Sequence, residues 1–310
     1  MKEIVIGSRA SRLALRQSTW VRDRLIAVGR QARIEVIQTS GDRDLDRSLA
    51  SLGGKGVFVK EIEEALLRGA IDLAVHSLKD LPTSQPGGLT IACVPQREDV
   101  RDLLVAAGGP ALADLPANAV VGTGSPRRAC QVRAARPDLR ISDLRGNLDT
   151  RLGKLARGDY DAIIVALAGV RRLGVEVEAT ILEIDQMMPA VGQGALALET
   201  RSKDREMADL LRPLHHPGTA AAVAAERAFL RGLGGGCQAP IAAWAELRGD
   251  RLVLQGLVGS AEGGRLLRSG GEGPAGDPES VGLSLARDLL ARGAAELVAR
   301  APMAALPEEP

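Results

Sequence analysis

Ile4, Val5 and Ile6 form an unbroken apolar run that predicts a buried strand over residues 2–7. Leu13, Trp20, Val21, Leu25 and Val28 then recur at near-helical spacing, which predicts an amphipathic helix over residues 11–28. The same alternation continues with a strand over 34–37, a helix over 58–67 whose face carries Phe58, Ile62 and Leu66, and strands over 71–75 and 89–94. Strands separated by helices predict a parallel sheet covered on both faces. Between them, residues 38–56 show no period and hold Gly41, Gly53, Gly54 and Gly56. A loop of that length inside a compact unit is usually functional, and residues 41–57 are read as a lid.

The pattern restarts after Asp99. Strands are expected over 119–121, 139–142 and 162–165, with helices running to about 135 and over 147–156. Residues 189–194 read as a crossing back, and 195–199 as a strand rejoining the first unit. An Ala-rich helix over 219–233 precedes strands over 241–246, 251–258 and 265–268 and one helix over 280–300. The expected fold is α/β: two doubly wound lobes like those of periplasmic binding proteins around a cleft, plus a smaller C-terminal α+β domain. The boundaries read as 1–97 with 195–214, 98–194, and 215–310.

Composition removes several alternatives. A net charge of +1 over 310 residues gives no bulk cationic field for nucleic acid, and 2% aromatics give few stacking platforms. Cys93, Cys130 and Cys237 show no zinc-ligand spacing, and the start shows no leader-like apolar region. A cytoplasmic chain without membrane or nucleic-acid partners, and a monomer, is expected. The basic residues are 34 Arg against 6 Lys, and Arg suits bidentate capture of carboxylates.

Ligands in such sheets bind beyond the carboxyl ends of the strands, so the strand-to-helix loops carry the candidate chemistry. His76-Ser77-Leu78-Lys79-Asp80 follows a strand and places an amine beside a carboxylate. The pair fits a proton donor, a cation stabiliser, an anion anchor or a Schiff-base lysine. Gly122-Thr123-Gly124-Ser125-Pro126-Arg127-Arg128 sets a helix N-terminus beside two guanidinium groups, a fit for an anion. Arg145 and Arg151 flank the next helix start, while Arg133, Arg136 and Arg140 read as solvated. Gly234-Gly235-Gly236-Cys237 presents a cysteine on a pliable loop, whereas Cys93 and Cys130 read as core and His215-His216 as a surface linker.

Taken together, GSRASRLAL, GGKGVFVKE, AVHSLKDLP, VGTGSPRRACQ, LRGNLDTRL, YDAIIVALAGVRRLG, PAVGQGALALE and AERAFLRGLGGGCQAPI, in this order over nearly the whole chain, resemble the porphobilinogen deaminase family. The resemblance implies a transferase of tetrapyrrole biosynthesis. It would join four porphobilinogen units into hydroxymethylbilane, releasing four ammonia molecules, on a dipyrromethane cofactor held by a thioether. By match, Cys237 would carry the cofactor, Asp80 would be the catalytic carboxylate and Lys79 would act beside it. Lys79, Asp80, Ser125, Arg127, Arg128, Arg145 and Gly146 would bind the cofactor. Arg9, Ser11, Arg145, Arg151, Arg172 and Gln193 would bind substrate, with Phe58 packing on a pyrrole ring. Porphobilinogen carries two carboxylate arms, which explains a wall of Arg. As an exposed cleft residue, Arg127 is expected to hold little of the core. The same two lobes also fit a non-catalytic anion-binding module, and Lys79 a lysine-dependent enzyme; the GGGC loop argues against the module.

Overall fold

The computed structural model describes residues 2–40, 59–234 and 239–299. The expected lid at 41–57, Phe58 and Cys237 lie outside the described residues.

The chain opens with β1 (Ile4–Ser8), α1 (Arg12–Ala27) and β2 (Ala32–Val36). Ser11 caps α1 by accepting the Ala14 N–H through its hydroxyl. α2 (Lys60–Leu67), β3 (Leu73–Ser77) and β4 (Leu89–Cys93) follow. The chain then crosses to a second unit made of β5 (Asp102–Val105), β6 (Val120–Gly122), α3 (Pro126–Ala135), β7 (Arg140–Ser142), α4 (Leu148–Ala156), β8 (Ala162–Ala166), α5 (Leu167–Leu173) and β9 (Ala179–Leu182). It returns as β10 (Leu196–Arg201) and α6 (Arg205–Leu211).

The first sheet has the order β2-β1-β3-β10-β4 and the second β7-β6-β8-β5-β9. Both are mixed, not parallel as the alternation predicts. β10 runs antiparallel to β3 and β4, and β5 antiparallel to β8 and β9. Each reversed strand is the first one laid down after the chain crosses between units, so it enters its sheet from the opposite end.

The crossings touch. The Glu98 N–H donates to the Gly194 carbonyl at 3.1 Å, and Arg97 Nε donates to the Gln193 carbonyl at 2.7 Å. Gly194 has φ +83°, and a Cβ there would lie 2.4 Å from the Glu98 carbonyl oxygen, so the approach of the two strands requires glycine.

The tail begins with α7 (Pro217–Gly232), capped by His216, which accepts the Thr219 N–H. β11 (Ile241–Arg248), β12 (Arg251–Gly259) and β13 (Leu266–Pro274) form an antiparallel sheet. α8 (Pro278–Ala291) and α9 (Ala294–Ala299) replace the single expected helix, because Gly293 takes φ +92° between them. Phe229 is fully buried between α7, α8 and Gly256. Cys93 and Cys130 are core residues as expected, and burial pushes their thiols up to about 12 and about 11. Arg133 and Arg136 differ from expectation: Arg133 donates to the Ala261 carbonyl, and Arg136 to those of Leu112, Ala113 and Leu115.

Inside the first unit lies a buried polar group. His76 Nε2 sits 3.1 Å from Glu199 Oε2, and Glu63 on α2 is buried nearby. Burial, then the Glu199 charge, pushes Glu63 up to about 7 against the pull of His76. A carboxyl raised in the fold weakens the folded state progressively as pH climbs from its unfolded value of 4.5 to about 7, fully above that, and has no effect where both states are protonated. Glu63→Gln is therefore expected to stabilise the protein at pH 8 by about 2 kcal/mol and to change little near pH 4. Urea midpoints at the two pH values check this; equal shifts would refute it.

Candidate active site

The strand ends of both units open into one cleft of about 580 Å³. From the first unit, Arg9 and Ser11 follow β1, and a single 3₁₀ turn, Leu78–Asp80, follows β3 with Lys79 and Asp80 facing the cleft. From the second unit, the segment after β6 brings Ser125, Arg127 and Arg128. The turn after β7 brings Arg145 and Gly146, followed by Arg151 in α4. Arg172 comes from α5 and Gln193 from the return crossing. Every site residue expected from sequence that falls in a described segment lines this one cleft. Ala239 and Ile241 of the tail line it too. Phe58 and Cys237 are outside the described residues.

Local chemistry explains each position. Pro126 starts α3 where a missing N–H costs nothing. The Ser125 hydroxyl makes no cap hydrogen bond, so it is not spent on its own helix. Gly146 takes φ +108°, and a Cβ there would lie 2.6 Å from Thr150. The turn lets Asn147 cap α4 through the Thr150 N–H, while Arg151 Nε donates to the Gly146 carbonyl at 2.8 Å. Arg145 Nε donates to Asp143 at 2.6 Å.

The centre of the cationic wall is a carboxylate that sequence reading did not single out. Asp102, at the start of β5, is 0% exposed. It accepts Arg127 Nη1 at 2.8 Å, Arg128 Nη2 at 2.6 Å and Gln193 Nε2 at 2.9 Å. Burial pushes its carboxyl up, but the two guanidinium groups hold it well below the usual carboxylate range. Arg127 and Arg128 are 4% and 5% exposed. They also donate to the carbonyls of Met188 and Ile164. Arg127 is thus a buried structural cation as well as a cleft residue, and the expectation that it holds little of the core fails. The one signal in the sequence was an Asp opening the apolar run Leu103-Leu104-Val105. Gln17, buried on α1, was also missed; it donates to the Ser77 hydroxyl at 3.0 Å beside Asp80.

One carboxylate shared by two guanidinium groups leaves excess positive charge. Its effect spreads along the wall. Burial, and then Arg128 and Arg127, pull Lys79 down to about 8 against Asp80 and Asp102. Lys79 keeps part of its surface open to cleft water. Burial and Arg128 pull Arg151 down to about 10 against Asp80, and burial lowers Arg172. Arg172 donates to the Gly194 carbonyl at 2.6 Å. Arg127 Nε, Arg128 Nε and Gln193 Oε1 are buried with no hydrogen-bond partner. Donors and cations in this arrangement suit a ligand with several carboxylates.

No group of three or more His, Cys, Asp or Glu among the described residues is arranged to hold a metal. No helix among them is long and apolar enough to cross a membrane.

Residues 4–209 match the family model described as porphobilinogen deaminase, dipyromethane cofactor binding domain, and residues 220–291 match the porphobilinogen deaminase C-terminal domain. The chain is 52% identical over 299 residues to the porphobilinogen deaminase of Roseiflexus castenholzii, covering 96% of this chain and 98% of that one. It is 50% identical over 303 residues to that of Maridesulfovibrio salexigens, covering 97% and 98%. Among solved structures, the periplasmic aliphatic sulphonate binding protein SsuA of Escherichia coli is similar at a TM-score of 0.41 and 13% identity, over 74% of this chain and 70% of that one. That likeness is too loose to carry an argument.

Removing Arg127 leaves Asp102 with half its counter-charge in a buried place. Arg127→Leu is expected to cost about 3 kcal/mol of stability, read as a lower urea midpoint. An unchanged midpoint would refute the structural role.

Proposed function

The chain belongs to the porphobilinogen deaminase family, and on that premise we propose how the residues of its cleft share the work. The reaction joins four porphobilinogen molecules head to tail into hydroxymethylbilane on a dipyrromethane cofactor, with release of four ammonia molecules and uptake of one water, which supplies the terminal hydroxyl. The chain is a transferase of tetrapyrrole biosynthesis.

The cleft fits the cofactor. Arg127 Nε, Arg128 Nε and Gln193 Oε1 are buried, unpartnered and part of its lining. When bound, dipyrromethane supplies the pyrrole carbon to which the first porphobilinogen is joined. In our reading Cys237 holds it by a thioether; Ala239, two residues further along the chain, lines the cleft. Ser125, Arg127, Arg128, Arg145 and Gly146 hold the cofactor carboxylates. Arg9, Ser11, Arg145, Arg151 and Arg172 bind the acetate and propionate arms of the incoming porphobilinogen, Gln193 accepts a pyrrole N–H at its free Oε1, and Phe58 packs on the ring.

Each addition breaks the aminomethyl C–N bond of porphobilinogen and releases ammonia, leaving positive charge on the methylene and pyrrole. A C–C bond then forms, and the attacked pyrrole carbon loses its proton. Asp80 is the carboxylate we assign to that charge. Its exposed place in a wall otherwise crowded with cations is the observation that carries the assignment. A fixed negative group where positive charge develops lowers the barrier without reorganisation. Lys79, at about 8, exchanges a proton near neutral pH and anchors a carboxylate arm.

We assign three domains: 1–97 with 195–214, 98–194, and 215–310. The placement of β10 in the first sheet supports that division. We read the protein as a cytoplasmic monomer. Porphobilinogen is charged and does not cross lipid freely, so the enzyme works where its substrate is made. The large exposed apolar side chains among the described residues are scattered: Ile26, Val28, Val36, Leu67 and Leu247.

Asp80→Asn is expected to lower kcat about 10²- to 10³-fold with the fold and cofactor content intact, and Asp80→Glu to keep more activity. A normal rate in the Asn variant would overturn the assignment. Cys237→Ala is expected to give a folded chain whose intact mass lacks the two pyrroles; a normal cofactor mass would exclude Cys237 as the tether.

A further inference from the structure

The 3₁₀ turn that carries Lys79 and Asp80 is three residues long, Leu78–Asp80. Its closing hydrogen bond runs from the Leu81 N–H to the Leu78 carbonyl at 3.1 Å, and the Leu78 N–H donates to the Ala195 carbonyl at 3.0 Å. Leu78 and Leu81 are buried against Ala195, Ala197 and Val223, the last from α7. Beyond the turn the chain enters Pro82-Thr83-Ser84-Gln85-Pro86, where neither proline offers an N–H.

The restraint on that side comes from the tail. Arg227 on α7 is 8% exposed. It donates Nη2 to the Pro82 carbonyl at 2.6 Å and Nη1 to the Leu81 carbonyl at 3.4 Å. Gln85 Nε2 adds a longer bond to the Pro82 carbonyl at 3.3 Å. The root of the Arg227 side chain is itself fixed. Its neighbour Glu226, fully buried, accepts Arg97 Nη1 at 2.6 Å, the Gly192 N–H at 2.7 Å and the Ala245 N–H at 2.9 Å. α7 ends at Gly232, five residues after Arg227, and runs into the segment that holds Cys237. Five helical residues span only about 7.5 Å.

We propose that Arg227 is a positioning residue for the reaction. By gripping the Leu81 and Pro82 carbonyls, it holds the chain just beyond the Asp80 turn against α7, the helix that precedes the Cys237 segment in sequence. The inference rests on the reading of Asp80 and Cys237 given above. The acid and the tether belong to different parts of the molecule, and Arg227 is a direct side-chain link from the helix leading to the tether to the backbone of the acid's turn. A planar fork meets two consecutive carbonyls in a pre-set geometry, whereas an ammonium group on a flexible stem loses more freedom to do so.

Arg227→Met and Arg227→Lys, prepared as holoenzyme, test this alongside Asp80→Asn. Melting temperature confirms folding, intact mass counts the pyrroles, and steady-state kinetics with porphobilinogen separate kcat from KM. Small misplacements of reacting groups cost up to about 100-fold in rate. Folded, fully loaded Arg227→Met is expected to lose about ten- to 100-fold in kcat with KM within about threefold of wild type. Arg227→Lys should regain part of the rate. Loss of a merely structural contact would lower the melting temperature and leave kcat below that temperature unchanged. A kcat within about twofold of wild type in the Met variant, a loss confined to KM, or failure of both variants to load cofactor would each overturn the proposal. If Asp80→Asn is inactive while Arg227→Met is normal, only the Arg227 role falls. If Asp80→Asn turns over normally, the reading of Asp80 falls and this proposal falls with it.

Discussion

The cleft depends on one buried carboxylate. Asp102 holds two guanidinium groups and the Gln193 amide at the junction of the second sheet with the return crossing. Burying any of these cations alone would be prohibitive, and burying the carboxylate alone equally so. Together they are tolerable, and because two positive charges meet one negative, the cluster is left with a net cationic face. That face lies where the strand ends of the second unit open. Lys79 and Arg151 are both pulled below their ordinary range, by burial first and by Arg128 next. A substrate bearing two carboxylates per ring relieves that strain as it binds, so affinity and site stability have a common origin.

In the same cleft, Asp80 stands on a short turn held by elements from three parts of the chain: β3, the residues before β10, and α7. The division of labour is physical. In the proposed reading the cationic wall selects and holds a polyanion, while Asp80, the exposed carboxylate that lines the cleft among the described residues, serves the positive charge that appears only during reaction. A site that bound the substrate's anionic arms with no such carboxylate would bind without accelerating.

Much of this was readable in the sequence, and the reasons differ by residue. Continuous apolar runs such as Ile4–Ile6 and 162–165 mark strands buried on both faces, and glycine, proline and arginine after them mark loops at strand ends. Strand direction was not readable, since burial leaves the same imprint on a strand whichever way it runs; β10 therefore reads as an ordinary member of a parallel sheet, and β5 was not read as a strand at all. Asp102 escaped notice because its partners Arg127 and Arg128 lie 25 and 26 residues away and are brought to it only by the fold. Arg127 was misjudged for a related reason: a guanidinium beside a helix start gives no local sign of whether it faces water or a buried carboxylate. Arg227 sits in an apolar helix and reads as a surface cation until its carbonyl partners are seen 145 residues upstream.

The two reversed strands have a consequence for how the molecule is made. β10 lies between β3 and β4, so β4 has no sheet neighbour until residue 196 and beyond have been added. During synthesis the amino-terminal sheet waits, half-zipped, while the ribosome finishes the whole of the second unit. A nascent chain of this fold presents an open β-edge from the completion of β3 at Ser77 until β10 begins at Leu196, and its quality control falls to whatever shields such edges until the late strand slots in.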